Sequence, residues 1–184
     1  MQYLYKIPWA IRAVLYKLAF GQLSLPGYIG RPTFLMGVKR IFVMKRVRIF
    51  PGLRAEVHGT GSLIIHSNVV IGQGLHITCM SELNIRSGTM ITGNVTITDI
   101  DHEYRDVTRS VIDQPYIPSK TDIGENCFIG MGARIQAGTI LGKGCIVGAN
   151  AVVRGTFPDH SVIVGSPGRI VKQYNCESGE WEKR

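Results

Sequence analysis

Aliphatic residues recur at every sixth position in the second half of the chain. Six consecutive positions at this spacing are aliphatic: Ile123, Ile129, Ile135, Leu141, Val147 and Val153. A period of six matches neither the 3.6-residue period of a helix nor the alternation of a flat strand. It is typical of a parallel β-helix, in which three short strands form one coil and each repeat supplies one inward side chain. We therefore predict an all-β solenoid.

The same spacing begins well before residue 123. Nine of the ten positions between residues 29 and 83 are aliphatic: Ile29, Leu35, Ile41, Val47, Leu53, Gly59, Ile65, Ile71, Ile77 and Leu83. The exception, Gly59, predicts a distorted corner. The phase then slips by two residues, resumes at Ile91 and Ile97, and breaks at Asp99. Six to seven coils are expected, which would make a prism about 30 Å tall at ~4.8 Å per coil.

Residues 99–122 interrupt this ladder. The segment is polar, contains two prolines and has no six-residue period. An insertion of this length in a repeat protein projects from one corner as a loop, and such loops often carry function. We divide the chain into an N-terminal segment (1–28), a β-helix domain (29–165) that carries loop 99–122, and a short tail (166–184) that we expect to be helical.

The N-terminal segment is predicted to be helical from Pro8, with Ile11, Val14, Leu15 and Leu18 on one face. One interpretation is a helix that covers the first coil and hides its strand edge. Another is that residues 1–20 lie on an anionic membrane, and both can hold together. No apolar run reaches the roughly 18 residues of a membrane span. No cleavage site follows, so we expect a cytoplasmic location, with or without contact to the inner face of the membrane.

The net charge indicates the kind of partner to expect, and the cysteine spacing indicates the state of the thiols. The chain has 21 Lys and Arg against 13 Asp and Glu, a formal charge of +8, which favours an anionic partner. The positive charge is interpreted as scattered and carries no nucleic-acid motif, so no nucleic-acid partner is expected. The four cysteines, Cys79, Cys127, Cys145 and Cys176, have no metal-site spacing. Buried reduced thiols are predicted rather than zinc ligands or disulfides.

Three motifs resemble a known family: IGENCFIGMGARIQAGTILGKGCIVGANAVVRG, VIVGSPGRIVK, and DHEY at the start of the loop. Over about residues 65 to 175 the chain resembles the left-handed β-helix acyltransferases of the hexapeptide-repeat superfamily, in particular the galactoside, maltose, xenobiotic and surface-polysaccharide O-acetyltransferases. The final QYNCESGEWEKR resembles the tail of lipopolysaccharide O-acetyltransferases. The resemblance implies left-handed winding, acetyl-CoA as co-substrate, a sugar or glycan acceptor, and a homotrimer with each site between two prisms.

The resemblance also implies roles for residues near the loop. His102 would be the general base that takes the proton from an acceptor hydroxyl, a task suited to imidazole near neutral pH. Asp99, Asp101 and Glu103 are candidates to hold its other ring nitrogen, and a backbone carbonyl is the alternative. The main-chain amide of Met131 would donate to the oxyanion of the tetrahedral intermediate.

Coenzyme A is expected along the outside of the coils. Small corner residues and the neighbouring amide would let its pantetheine arm approach the backbone: Gly130, Met131, Gly132, Ala149 and Ala151. Tight turns explain these small residues equally well. Arg169 and Lys172 match basic positions that hold coenzyme phosphates in the family. Asn84, Tyr104 and Arg105 are further candidates for binding the acceptor.

The acceptor site departs from the sugar acetyltransferases of the family. Gly72, Gly74 and Cys79 stand where those enzymes carry an Asn-x-Asn and an Asp that grip the acceptor, and Phe128 stands where Trp is usual. The acceptor is therefore not expected to be that of the galactoside enzyme. We favour O-acetylation of a surface-polysaccharide unit or its lipid-linked precursor.

Three alternatives stay open. The first is N-acetylation of an amino sugar. The second is a β-helix that binds a partner without catalysis. The third is a zinc hydratase of the γ-carbonic-anhydrase type, but His58, His66 and His76 do not form the histidine pair five residues apart that such a site uses. No metal is expected.

Overall fold

The computed structural model describes residues 4–184, apart from the side chain of Tyr5. It is a left-handed parallel β-helix of about seven turns with one helix near the N-terminus, as predicted. The first three residues of the predicted N-terminal segment lie outside the described part. No helix among the described residues has the length and apolarity needed to cross a bilayer.

Helix α1 spans Ile7–Tyr16 and follows a 3-10 turn, Leu4–Lys6. Twelve strands precede the loop: β1 Gln22–Leu23, β2 Tyr28–Ile29, β3 Phe34–Met36, β4 Ile41–Val43, β5 Arg48–Ile49, β6 Arg54–Val57, β7 Ser62–Ile65, β8 Val70–Ile71, β9 His76–Cys79, β10 Glu82–Ile85, β11 Met90–Ile91 and β12 Thr96–Thr98. The loop contains β13 Ile100–His102 and β14 Tyr116–Pro118. Ten strands follow: β15 Asp122–Ile123, β16 Phe128–Ile129, β17 Arg134–Ile135, β18 Ile140–Leu141, β19 Ile146–Val147, β20 Val152–Val153, β21 Thr156–Phe157, β22 Ser161–Val164, β23 Arg169–Asn175 and β24 Glu180–Lys183.

The coil strands stack into three faces of a prism. Face A contains β1, β4, β7, β10, β15, β18 and β21; face B contains β2, β5, β8, β11, β16, β19 and β22; face C contains β3, β6, β9, β12, β17 and β20. We call the column of turns that joins face B to face C the BC corner, which includes residues 130–132 and 148–150. The column that joins face C to face A is the CA corner, and the loop projects from it between β12 and β15.

The ladder residues point into the prism. From Ile123 to Val153 all six are at most 2% exposed. The prediction of a single inward residue per repeat is wrong, because the residue two positions earlier is also buried in each repeat: Thr121, Cys127, Ala133, Thr139, Cys145 and Ala151. These residues are all small, since they sit where the chain turns and the corner leaves little room.

The coils before the loop are longer than those after it. The pairings of Tyr28 with Arg48 and of Arg48 with Val70 give coils of twenty and twenty-two residues. Phe128 pairs with Ile146, which gives the eighteen residues of three hexapeptides. The six-residue spacing predicted for the first half is therefore correct only over short stretches. The two to four extra residues of each coil lie in its strands and corners.

The thiols are mostly inside the prism. Cys79, Cys127 and Cys145 are buried and free, as predicted, and burial raises the pKa of the Cys79 thiol to about 12. The prediction is wrong for Cys176, which is free but exposed. This residue lies in the turn between β23 and β24, outside the prism.

Helix α1 packs on the first coil. Ala13 is fully buried, the Trp9 ring lies 5.7 Å from the rings of Tyr28 and Phe50, and Arg12 donates a hydrogen bond to the carbonyl of Ile29 (3.1 Å). The helix covers this end of the prism, which agrees with the predicted cap. The predicted apolar face, however, is turned to solvent, because the opposite side of the helix makes these contacts.

The tail is a β-hairpin, so the prediction of a helical tail is wrong. Strand β23 pairs antiparallel with β22 on face B, and β24 pairs antiparallel with β23. The last coil would otherwise leave the backbone groups of β22 unpaired, and a strand satisfies that edge in a way that a helix does not. The turn is closed by the side chain of Asn175, which accepts a hydrogen bond from the amide of Glu177 (2.8 Å).

The inward position should determine stability on face B. Replacing Ile129 by Ala should lower the free energy of unfolding by about 2–5 kcal/mol, because a cavity forms in a packed interior. Ile146→Ala is the matched control, since Ile146 is partly exposed on the outer side of the same face. Its expected loss is below about 1 kcal/mol. Equal losses in denaturant titrations would contradict the assigned orientation.

Candidate functional site

The base of the projecting loop is held by a buried carboxylate. Asp99 is fully buried, and its carboxylate accepts hydrogen bonds from the amides of Met80 (2.7 Å) and Ser81 (2.9 Å) and from the Ser81 hydroxyl (2.6 Å). Its carbonyl accepts a hydrogen bond from the amide of Ser119, where the loop returns (2.7 Å). Asp99 therefore joins both ends of the loop to the preceding coil at the CA corner.

The loop itself is an ordered ribbon. Strands β13 and β14 pair antiparallel, with His102 opposite Tyr116. Beyond them the nearly buried side chain of Gln114 accepts from the amide of Asp106 and donates to the carbonyls of Asp106 and Arg109. These contacts give the ribbon a defined shape without any contribution from the aliphatic ladder.

His102 lies at the end of β13 beside a polar cavity on face C. The cavity has a volume of about 280 Å³, and seven of its lining residues have polar side chains: Glu56, His58, His76, Thr78, Thr98, His102 and Tyr116. The Tyr116 ring stands edge-on to the His102 ring at 4.9 Å and lies 5.9 Å from the ring of His58. The ribbon thus places the predicted base over side chains from earlier coils.

Glu56 is the acidic residue of this cavity. Its carboxylate accepts a hydrogen bond from Arg54 Nε (2.5 Å) and lies 3.5 Å from His76 Nε2 and 3.8 Å from His58 Nε2. His76 Nε2 is buried and has no hydrogen-bond partner among the described residues. Glu56 and Tyr116 were not predicted from the sequence. Both side chains point outward and lie far apart along the chain, so no repeat in the sequence links them.

The three predicted orienting carboxylates have other partners. Asp99 is bound at the loop base, and Asp101 pairs with Arg154 Nη2 (2.5 Å). Glu103 accepts hydrogen bonds from the next two backbone amides, which hold the pKa of its carboxyl below the usual value. Within the described part of the chain, none of the three hydrogen-bonds to His102.

Most of the predicted coenzyme residues lie along the BC corner. Gly130, Met131 and Gly132 form one turn, and Ala149 lies in the turn of the next coil, where the Asn150 amide donates to the Met131 carbonyl (2.8 Å). The Met131 amide has no acceptor among the described residues, so its N–H is available. At Gly132, which has a φ of +71°, a Cβ would press against the side chain of Asn150, so glycine avoids both backbone strain and crowding in these stacked turns.

The remaining coenzyme candidates do not lie together. Arg169 is exposed and pairs with Val164 where β22 ends near the BC corner, and Lys172 is exposed farther along β23. Ala151 is buried inside the prism.

Of the acceptor candidates, Asn84 lies on face A, where its Oδ1 is 3.0 Å from His66 Nε2. Tyr104 and Arg105 are exposed on the loop and do not line the cavity beside His102.

His102 and Met131 face different cavities. Met131 lines a depression of about 300 Å³ on face B, together with Phe50 and Met90, and none of its lining residues lines the cavity beside His102. The strands of face C separate the two corners by roughly five extended residues, on the order of 15 Å. A base and an oxyanion donor must both lie about 3 Å from one reacting group. Within one chain the imidazole of His102 and the amide of Met131 therefore lie at separate cavities.

The candidate chemistry of the cavity is proton transfer to imidazole. Among the described residues, no three His, Cys, Asp or Glu side chains are grouped as metal ligands would be. The zinc-hydratase alternative therefore gains no support from these residues.

The sequence matches one family profile and several known proteins. The profile of the family described as bacterial transferase hexapeptide (six repeats) matches residues 120–155. The chain is 36% identical over 143 residues to the Escherichia coli K12 protein described as "Putative lipopolysaccharide biosynthesis O-acetyl transferase WbbJ", covering 72% of this chain and 71% of that protein. It also matches staphylococcal serine acetyltransferases, of whose length it spans about half.

Solved structures share the fold. AntD, an N-acyltransferase from Bacillus cereus solved with dTDP and 3-hydroxybutyryl-CoA, superimposes with a TM-score of 0.74 at 17% identity, covering 91% of this chain and 90% of AntD. The acetyltransferase VCA0836 from Vibrio cholerae, solved with acetyl-CoA, gives a TM-score of 0.61 at 16% identity over 90% of this chain and 78% of that one. At such identities the likeness establishes the architecture alone.

Removing the Asp99 carboxylate should destabilise the loop base. Asp99→Ala leaves two backbone amides without their acceptor in a buried place, so unfolding free energy should fall by about 2–3 kcal/mol. Asp101→Ala removes the same group from a partly exposed ion pair and should cost below about 1 kcal/mol. Denaturant titration and limited proteolysis of residues 99–122 measure both effects. Equal behaviour of the two variants would refute the assigned role of Asp99.

Proposed function

The chain belongs to the bacterial hexapeptide-repeat transferase family, and we propose that it is an acetyl-CoA-dependent O-acetyltransferase. Its acceptor is a sugar hydroxyl of a surface-polysaccharide unit or its lipid-linked precursor. The observation that carries the proposal is His102 on a ribbon that overhangs a polar cavity. The identity to the Escherichia coli lipopolysaccharide enzyme supports the acceptor class, and the acetyl-CoA complex of the Vibrio cholerae protein supports the donor.

In the proposed reaction His102 is the general base. Its imidazole takes the proton of the acceptor hydroxyl as that oxygen attacks the thioester carbonyl carbon. The carbon–sulfur bond of the tetrahedral intermediate then breaks. The imidazolium returns its proton to the departing coenzyme thiolate, so the enzyme ends the cycle unchanged.

Tyr116 is proposed to position the base. No carboxylate among the described residues hydrogen-bonds to His102, whereas the Tyr116 ring packs edge-on against it at 4.9 Å. The two residues are also direct partners in the ribbon, which fixes their separation. An edge-to-face pair of this kind restricts the orientation of the imidazole ring.

Glu56 and His76 are proposed to bind the acceptor. A buried imidazole nitrogen without a hydrogen bond is unfavourable by about 1–3 kcal/mol. His76 Nε2 has only the 3.5 Å contact with the Glu56 carboxylate, and a sugar hydroxyl in the cavity would supply the hydrogen bond. The adjacent carboxylate would accept a second hydroxyl proton. His76 comes from the coil that also holds Gly72, Gly74 and Cys79, where the galactoside-type acceptor residues are absent, and Glu56 comes from the coil before it.

The proposed assembly is a homotrimer in which each site uses two chains. His102 at the CA corner of one prism would act with the Met131 amide at the BC corner of its neighbour, which resolves the separation of the two cavities within one chain. The loop carries exposed apolar side chains at Val107 (92%) and Ile112 (87%), which suits contact with a neighbouring chain.

Coenzyme A is proposed to lie along the BC corner. The stacked turns of Gly130–Gly132 and Ala149 leave room for the pantetheine arm to approach the backbone. Arg169, at the end of this column, would bind a phosphate group, and Lys172 offers a second cation farther along β23. Ala151 would contribute only through its place in the turn, because its side chain is buried.

Acetyl transfer should depend on His102. With labelled acetyl-CoA and a panel of nucleotide sugars and cell-surface glycans, wild-type protein should form an ester that mild alkali or hydroxylamine cleaves. His102→Ala should lower its rate at least about 100-fold, since a general base is lost. His66→Ala is the control, because His66 binds Asn84 on another face.

Coenzyme A should still raise the melting temperature of the His102→Ala variant, which separates loss of chemistry from loss of binding. Near-normal turnover in that variant would remove His102 from the mechanism. An alkali-stable amide product would instead identify N-acetylation, and the absence of any thermal shift with wild-type protein would count against the whole proposal.

A site shared between chains should be restored by mixing two inactive variants. Met131→Pro removes the amide N–H and should lower the rate about 10²–10³-fold, whereas Met131→Ala should remain active because only the side chain changes. Co-expression of Met131→Pro with His102→Ala should recover about a quarter of wild-type activity, since random trimers then contain intact pairs. Mixed protein no more active than either variant alone would show that each site belongs to one chain.

A further inference from the structure

Helix α1 presents an apolar ridge to solvent. Six side chains from the first turn through the end of the helix are between 52% and 83% exposed: Leu4, Ile7, Ile11, Val14, Leu15 and Leu18. Their spacing of three and four residues places them on one side of the helix. The opposite side is occupied by the contacts of Trp9 and Ala13 with the first coil. The ridge is thus a continuous surface rather than isolated exposed residues.

The positive charge of the chain is concentrated around this helix. Residues 1–60 contain ten basic residues: Lys6, Arg12, Lys17, Arg31, Lys39, Arg40, Lys45, Arg46, Arg48 and Arg54. They contain one acidic residue, Glu56, whereas residues 61–184 contain eleven basic and twelve acidic residues. The interpretation of the charge as scattered is therefore wrong. The whole excess belongs to the N-terminal third.

The structure brings these cations next to the ridge. Lys39 Nζ donates a hydrogen bond to the carbonyl of Leu18 (3.3 Å) at the end of the helix. Lys17 and Lys45 line one depression beside the same turn, and Arg46 and Arg48 line another, next to β2. Lys17 and Lys39 therefore lie at the end of the ridge, and Lys45, Arg46 and Arg48 lie in the first two coils near the helix.

We propose that this end of the prism binds the surface of an anionic bilayer. The ridge would enter the boundary between headgroups and acyl chains, and the flanking cations would contact lipid phosphates. Charge decides between this partner and a second copy of the chain. Another copy docked end to end on the ridge would bring the same basic end and be repelled, whereas anionic lipid is complementary to it.

Vesicle co-sedimentation of the full chain tests this proposal. Binding is expected to vesicles in which roughly a third of the phosphatidylcholine is replaced by phosphatidylglycerol, and should fall with added salt. Leu15→Asp with Leu18→Asp should weaken it at least about tenfold, because charged groups would have to enter the interface. Leu15→Met with Leu18→Met keeps both positions apolar and should bind as wild type does.

A matched lysine pair tests the electrostatic part. Lys45 and Lys143 are both exposed in turns that join face A to face B, but Lys143 lies in a coil far from the helix. Lys45→Glu should weaken binding about fivefold or more, and Lys143→Glu should leave it unchanged. Equal effects of the two charge reversals would overturn the proposed orientation.

The remaining outcomes are also decisive. Lack of binding to anionic vesicles, or equal binding to phosphatidylcholine alone, would overturn the proposal. So would a folded Asp double variant that binds vesicles normally but has lost an assembly seen for wild type by size-exclusion chromatography with light scattering, because the ridge would then be a contact between copies. Circular dichroism establishes that each variant is folded.

Discussion

Hydrogen bonds between successive coils hold this β-helix together, and the narrow aliphatic interior sets the register in which they form. Each repeat after the loop places one branched residue and one small residue inside, as Ile129 and Cys127 do. A coil therefore has partners only above and below it, so both ends of the prism would present unpaired edges. Helix α1 covers the first end, and the hairpin of β23 and β24 extends the last coil. Both elements thus protect strand edges that would otherwise be unpaired.

The projecting loop is possible because it leaves the prism at a corner. Strands β12 and β15 keep their parallel partners on both sides of the insertion. Asp99 accepts the backbone hydrogen bonds that connect the loop base to the coil beneath. The aliphatic ladder is thus preserved, and residues 100–118 can carry polar side chains because they do not have to fill the interior. The cavity beside His102 combines that ribbon with Glu56 and His76, which belong to rigid strands of face C.

The rigidity of the prism also limits what one chain can do. Its faces do not bend to bring the CA and BC corners together, and in our proposal the base and the oxyanion donor therefore act together across two chains. The same rigidity keeps the N-terminal end of the prism apart from the cavity beside His102. The apolar ridge at the N-terminal end and the proposed catalytic site can engage different partners, a membrane and an acetyl donor in our proposals, without competing for the same residues.

The sequence alone determined the solenoid, the inward ladder from Ile123 to Val153 and the place of the loop, because inward positions repeat at a fixed period and any break in them is visible. Motif resemblance also selected His102 and the BC-corner turns as candidates. Only the tertiary structure decided that Glu56, His76 and Tyr116 meet beside His102, that Asp99 binds the loop base, and that the tail pairs with β22. These contacts join outward or terminal residues distant in sequence, and only the stacking of coils brings such residues together.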